Sequence, residues 1–301
     1  MGARPLVLTP TNRKALSLRG MTESIQLRIN AGLGAEKPIC IYQLCEKLGL
    51  VVRFVPLDME GMYQRDRQSR ILLSPYRPVP RRAFNCAHEL GHHVFGHGST
   101  VDELYEQRSK EDRNQPNEVL VNAFAAFALM PTLGVRAAFA SRGLNPKTAT
   151  AKSVYAIACN FGVGYTTLVN HLAYGIEDIT DSRAKELLKS SPKSIRTEML
   201  GAESEESLVV ADRHWTSGTL DLEVGAYVLL PRDVVIDDGL LTRCDRVGEL
   251  ALFQASSPGM RRACRPGSEW ATFVRVSRKK YVGLAKYRHL EGNDDEDEDQ
   301  E

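Results

Sequence analysis

Residues 71–98 read ILLSPYRPVPRRAFNCAHELGHHVFGHG, and the fold turns on how they divide. Three prolines between Ser74 and Pro80 exclude regular structure there. Pro80 suits the first turn of a helix, where a missing N–H costs nothing. The sequence therefore predicts a helix through RRAFNCAHELGHHVF that ends near Gly96 or Gly98. Ahead of the proline loop, Arg70–Ser74 has the composition of a short strand. An edge strand there could pair with an extended peptide backbone; an internal strand is the other reading, and both stay open.

Within that helix stands His88-Glu89-Leu90-Gly91-His92. Residues four apart share a helix face, so two imidazoles can converge on one Zn²⁺. Glu89 is rotated by roughly 100° from His88, too far to share the metal but able to reach a water held there and take its proton. A catalytic zinc needs a third protein ligand and an open fourth position. The extended form HExxHxxGxxH would place glycine and histidine where this chain has Phe95 and Gly98, so that arrangement is absent. The alternative is a carboxylate from a second helix. Residues 118–130, EVLVNAFAAFALM, stop at Pro131 and are apolar on nearly every side, as suits a buried helix. Glu118 at its start is the favoured third ligand, because a carboxylate opening an apolar helix needs a partner. Glu103, Glu106 and Glu111 are rivals in a charged stretch that more readily faces water.

Around the motif the reading is less sharp. His93 and His97 suit an outer layer about the metal, a second ligand or an oxyanion donor. Tyr63, Tyr76 and Tyr105 could each polarise a scissile carbonyl. Cys86 lies two residues before His88 and so faces away from it; Cys40 or Cys159 could approach a metal only through the fold. Residues 154–175, VYAIACNFGVGYTTLVNHLAYG, have the packing residues and turn glycine of a helix-turn-helix. They contain no Lys or Arg for phosphates, so the segment reads as helical packing.

The 301-residue, 33.5 kDa chain is 43% apolar and 26% charged, which excludes wholesale disorder, collagen and a disulfide-packed miniprotein. No apolar run reaches the ~18 residues of a membrane span, and Met1–Lys14 lacks the core of a secretory signal. Six cysteines with no CxxC pair read as reduced thiols of the cytoplasm. The net charge of +1 conceals eight acidic groups and no basic one in Glu291–Glu301, a block that reads as a solvated, disordered tail on a moderately basic body.

Texture divides the chain into an extension over 1–21, a helix-rich domain over 22–175, a helix and linker over 176–205, a small β-rich domain over 206–289, and the acidic tail over 290–301. Strands are expected at Ser207–Val210, Ala226–Leu230, Glu249–Ala255, Trp270–Val276 and Lys280–Lys286, with turns such as Ser257-Pro258-Gly259 between. The fold class is α+β. Basic residues at Arg261-Arg262, Arg265 and Arg278-Lys279-Lys280, with Trp270, Phe273 and Tyr281 nearby, read first as the core and rim of a β domain. The second reading is a single-stranded nucleic-acid surface.

The phrase over 71–98, together with the Glu118 helix, resembles the ImmA/IrrE metallopeptidases over roughly residues 22–175. In that family the pair of motifs is HExxH and ExxANxFAxxLLMP; here Val121 and Ala128 are mild departures. The resemblance implies that His88, His92 and Glu118 bind zinc and that Glu89 is the general base. It implies a gluzincin-like domain with a short sheet, and a helix-turn-helix repressor as substrate, cut to derepress stress, DNA-damage, mobile-element or defence genes. A regulatory C-terminal domain then invites an activator, single-stranded DNA or a small molecule. The alternatives are a non-enzymatic DNA-binding regulator with structural zinc, which three ligands and a vacancy disfavour, and a zinc hydrolase of a non-peptide amide.

Overall fold

A computed structural model describes residues 9–102, 115–237 and 239–290, and they form an α+β structure. Tyr105, the carboxylates of Glu103, Glu106 and Glu111, and the acidic tail lie outside the described residues. Helix α1 (Pro10–Asn30) starts at Thr9, whose hydroxyl accepts the Asn12 N–H. It packs along α4 (Pro116–Leu129), and α3 (Val79–Val94) packs against α4 as well. Both approaches are close. A Cβ at Gly20 would lie 2.8 Å from the Leu120 carbonyl oxygen, and one at Gly91 3.0 Å from the Val121 Cβ. The division expected between residues 21 and 22 falls inside α1, because packing on α4 sets that helix's extent and composition does not show it.

Helix α2 (Ile41–Lys47) leads into a five-stranded sheet, whose order is β13-β1-β3-β2-β4. Its strands are β1 (Val51–Phe54), β2 (Gly61–Gln64), β3 (Arg70–Leu73), β4 (Thr100–Asp102) and β13 (Gly283–Leu284). Strand β3 pairs parallel with β1 and antiparallel with β2, and Ile71 and Leu73 are buried, so the internal reading of this strand holds. The edge near α3 is β4 instead, joined antiparallel to β2 through Tyr63↔Thr100. Helices α5 (Thr132–Ser141), α6 (Ala151–Asn160) and α7 (Tyr165–Asn170) close the core; the turn between α6 and α7 carries Gly162 at φ +63°, and most of 154–175 is buried packing. Two short helices, α8 (Asp181–Leu187) and α9 (Pro192–Leu200), occupy the stretch read as one helix and a linker. No single helix among the described residues is long and apolar enough to cross a membrane.

Residues 208–277 build two four-stranded sheets, β5-β7-β10-β9 and β6-β12-β11-β8. The first holds β5 (Leu208–Val210), β7 (Tyr227–Pro231), β10 (Leu250–Ala255) and β9 (Leu241–Val247). The second holds β6 (Thr219–Glu223), β12 (Ala271–Ser277), β11 (Gly259–Cys264) and β8 (Val235–Ile236). Trp215, Leu220, Leu222, Val228, Phe253 and Val274 fill the space between them. Strand β7 is buried continuously because it is covered twice: Val228 and Leu230 face this core, while Leu229 joins the core of the helices. The last expected strand, Lys280–Lys286, is in fact the two-residue β13 and a 3₁₀ turn (Ala285–Tyr287); β13 pairs with β1 of the first sheet rather than with its sequence neighbours.

Alternation along β6 turns Leu220 and Leu222 inward and leaves Asp221 and Glu223 on the outer face. Glu223 meets Arg82 of α3 at 2.7 Å. Asp221 accepts from Arg275 at 2.7 Å and from Arg288 at 3.0 Å, and the Arg288 guanidinium covers the Tyr42 ring. Elsewhere Arg142 grips Asp212 through two hydrogen bonds of 2.8 Å. The β-rich region and the helices are thus joined by charge pairs, a shared core and a shared sheet.

Candidate metal centre

Helix α3 begins just after Pro78, with proline in its first turn, and buries an unbroken run from Cys86 to His92. That run is wedged between α4 on one side and the sheet on the other. Gly91 decides the first contact: its bare Cα lets α3 close on Val121 and Phe124, one helical turn from Glu118. The result is a tight donor set. His88 Nε2 and His92 Nε2 lie 3.2 Å apart, and the Glu118 carboxylate lies 3.6 Å from each. The three ligand atoms all fall within 4.8 Å of one another, and all three residues are buried.

The outer nitrogens are engaged as well. His88 Nδ1 is 3.1 Å from Asn122 Oδ1, and His92 Nδ1 is 2.9 Å from His97 Nδ1. Both Nε2 atoms therefore turn inward toward Glu118. Two nitrogens held tetrahedrally at zinc's ordinary bond length lie roughly 3.3 Å apart, so this spacing fits one small divalent ion. Two nitrogens and one carboxylate are a donor set for zinc, and three protein ligands leave a position open. The helix motif alone assigns Asn122 no role; the signal for it in the sequence is its position four residues after Glu118, on the same helix face.

Glu89 is 1% exposed and reaches the opposite neighbour, β4, where the Thr100 hydroxyl donates to Oε2 at 3.1 Å. Behind it, Gly61 of β2 makes room: a Cβ there would lie 2.8 Å from Glu89 Oε1. Gly61→Ala is thus expected to displace the carboxylate and lower stability by about 1–3 kcal/mol. Equal melting temperatures in the two proteins would show that Glu89 is not confined by β2. The outer edge of β4 has no strand paired to it among the described residues, so the free edge sought at β3 lies beside Glu89 instead.

The remaining predicted residues separate. The Tyr63 hydroxyl is buried against His93 Nδ1 at 2.8 Å, and Tyr76 is exposed with the Lys280 ammonium over its ring. Neither they nor His93 line the large groove at the site, whose volume is about 1540 Å³. His88, Glu118 and Asn122 stand on its wall, with Leu18, Phe84 and Phe127 among its apolar residues. Burial pushes His93 below the ordinary imidazole range, and Arg65 adds to this. Burial also lowers His97, although the Glu118 carboxylate pulls the other way. Among the thiols, Cys86 Sγ touches Cys45 Sγ at 3.7 Å, while Cys40, which accepts from Arg275, and Cys159 stand on the groove wall. Burial raises Cys86 well above the usual thiol range and pushes Cys159 up to about 12.

Residues 45–172 match the model of the IrrE N-terminal-like domain, Peptidase_M78. A solved structure of a Mycobacterium tuberculosis transcriptional regulator is similar at 15% identity and a TM-score of 0.35, covering 55% of this chain and 52% of that one. The present chain thus spans about half the length of that structure. No curated protein matches significantly. The His88, His92 and Glu118 cluster lies inside the matched span, so residues 45–172 carry the features of the ImmA/IrrE family of metallopeptidase-like domains.

Proposed function

We propose that the chain is a zinc-dependent endopeptidase that cleaves a helix-turn-helix repressor and so derepresses stress, DNA-damage, mobile-element or defence genes. The observation that carries the peptidase reading is the pairing of a buried His88–His92–Glu118 donor set with Glu89 beside β4, whose outer edge has no partner strand among the described residues. His88, His92 and Glu118 would hold the metal. Bound there, zinc would supply a Lewis acid that polarises a peptide carbonyl and lowers the pKa of water. The chain's own part is to position and to move a proton. Glu89, held by Thr100, takes the proton of the attacking water and gives it to the departing amine. The groove offers apolar walls to the side chains of the bound segment. The repressor as substrate, and the cytoplasm as the place of action, rest on the family and on six unpaired thiols.

For an activator, the exposed face of the second sandwich sheet supports single-stranded DNA or a small molecule. Phe273 is 45% exposed there, opposite the exposed Arg262 on β11, while Trp270 is core.

Co-expression with a helix-turn-helix repressor encoded beside the gene, followed by intact-mass measurement, tests the reading. Wild type is expected to give one discrete cut, and Glu118→Ala none, with its zinc content falling from one per chain. Unchanged zinc in Glu118→Ala would move the third ligand elsewhere. An intact repressor with zinc at one per chain, with or without single-stranded DNA, would favour a DNA-binding regulator whose zinc is structural.

A further inference from the structure

Helix α3 ends in a closure that returns the chain onto one of the two histidines. The Phe95 N–H reaches the Gly91 carbonyl, Gly96 takes φ +68°, and the His97 N–H donates to the carbonyl of His92 at 3.0 Å. This is the six-residue, left-handed helix stop that glycine permits. Its geometry carries the His97 side chain back over the turn it caps, where Nδ1 meets His92 Nδ1 at 2.9 Å. The ring is braced from outside by Phe95, which stands edge-on to Phe124 of α4. One residue therefore contacts His92 twice, through backbone and through side chain.

Only one nitrogen of that Nδ1–Nδ1 pair carries the hydrogen. When His92 donates, its Nε2 keeps a lone pair on the side facing His88 and Glu118. When His97 donates, the neutral His92 carries its proton on Nε2, where a metal would have to bind. Asn122 settles the same choice for His88 by offering a carbonyl oxygen, which only accepts. We infer that His97 is a positioning residue, which accepts from His92 Nδ1–H and so fixes His92 in the tautomer and ring orientation that ligate the metal. The inference rests on the reading of His88, His92 and Glu118 as a metal site.

The test is zinc affinity of the full-length chain, measured by competition with a chromophoric chelator, and the absorption spectrum of the cobalt-loaded form. His97→Phe keeps a ring against Phe95 but offers no acceptor; its zinc affinity is expected to fall about 10–100-fold. His97→Asn puts a carbonyl oxygen near the Nδ1 position and is expected to recover affinity to within about threefold of wild type. Equal affinity in wild type and His97→Phe would overturn the inference and leave the metal site standing. If wild type binds no zinc while remaining folded, the metal reading falls and this inference with it. Should His97→Phe give no cooperative melt, His97→Leu is compared with His97→Asn, and equal affinities in those two overturn the role of the acceptor.

Discussion

Glu89→Gln is expected to cut peptide-bond hydrolysis by roughly 10²–10⁴-fold and to leave the metal content unchanged. The side chain is fully enclosed between α3 and the sheet, so a substitution of equal size disturbs little packing. Gln retains an oxygen for the Thr100 hydroxyl, which donates to Glu89 at 3.1 Å. It cannot take up a proton from attacking water. The three ligand atoms come from other residues, so metal and base separate cleanly in this variant. Turnover within about threefold of wild type, at equal zinc content, would remove Glu89 from the chemistry. Loss of zinc together with turnover would instead make it part of the metal's surroundings.

Asp221→Asn is expected to lower stability by about 3 kcal/mol, because it leaves the Arg275 and Arg288 guanidiniums buried without their counter-charge. Their side chains are 4% and 8% exposed, whereas Asp221 is 25% exposed, which keeps the figure at the low end of such losses. Burial by itself would raise the Asp221 pKa, but Arg288 and Arg275 outweigh it and hold the carboxyl at about 2. A carboxyl lowered on folding stabilises above its unfolded pKa, near 3.9, and that contribution is lost as the pH falls toward 2. Asp221→Asn should thus melt roughly 10 °C below wild type at neutral pH. The gap should narrow steadily below pH ~4. An unchanged melting temperature at pH 7 would show that the triad contributes nothing net.

The helices of the candidate metal site are legible because local signals bound them tightly. Proline opens α3, proline closes α4 at Pro131, and the spacing of His88 and His92 needs no tertiary information. Glu118 stood out as the one charge in an apolar helix. The sheets were legible only where a strand is covered on both sides or has a clean apolar run, as at β7 and β10. Strand β9, LTRCDRV, is exposed along most of its length, so no face periodicity marks it. Strand β6, TLDLE, alternates over only five residues, and its outward acids read as solvent-facing until Arg82, Arg275 and Arg288 are placed beside them. Strand β4 is three residues long and exists through its partner β2. The pairing of His97 with His92 depends on a backbone turn that residue spacing does not disclose.

The union of β13 with β1 bears on when this molecule becomes whole. Phe54 pairs with Gly283, and Arg53 with Leu284, so strands made early wait for a partner made late. Ribosomes add about 5–20 residues per second, and the roughly 230 residues between those strands take about 10–50 s. Through that interval the nascent chain holds α3 and its histidines but lacks one margin of the sheet beneath them, along with Arg288 and its link to Tyr42. A pairing of such long range is also among the slower steps of folding. Translation itself therefore acts as a timer, postponing the finished five-stranded sheet until Gly283 and Leu284 have emerged.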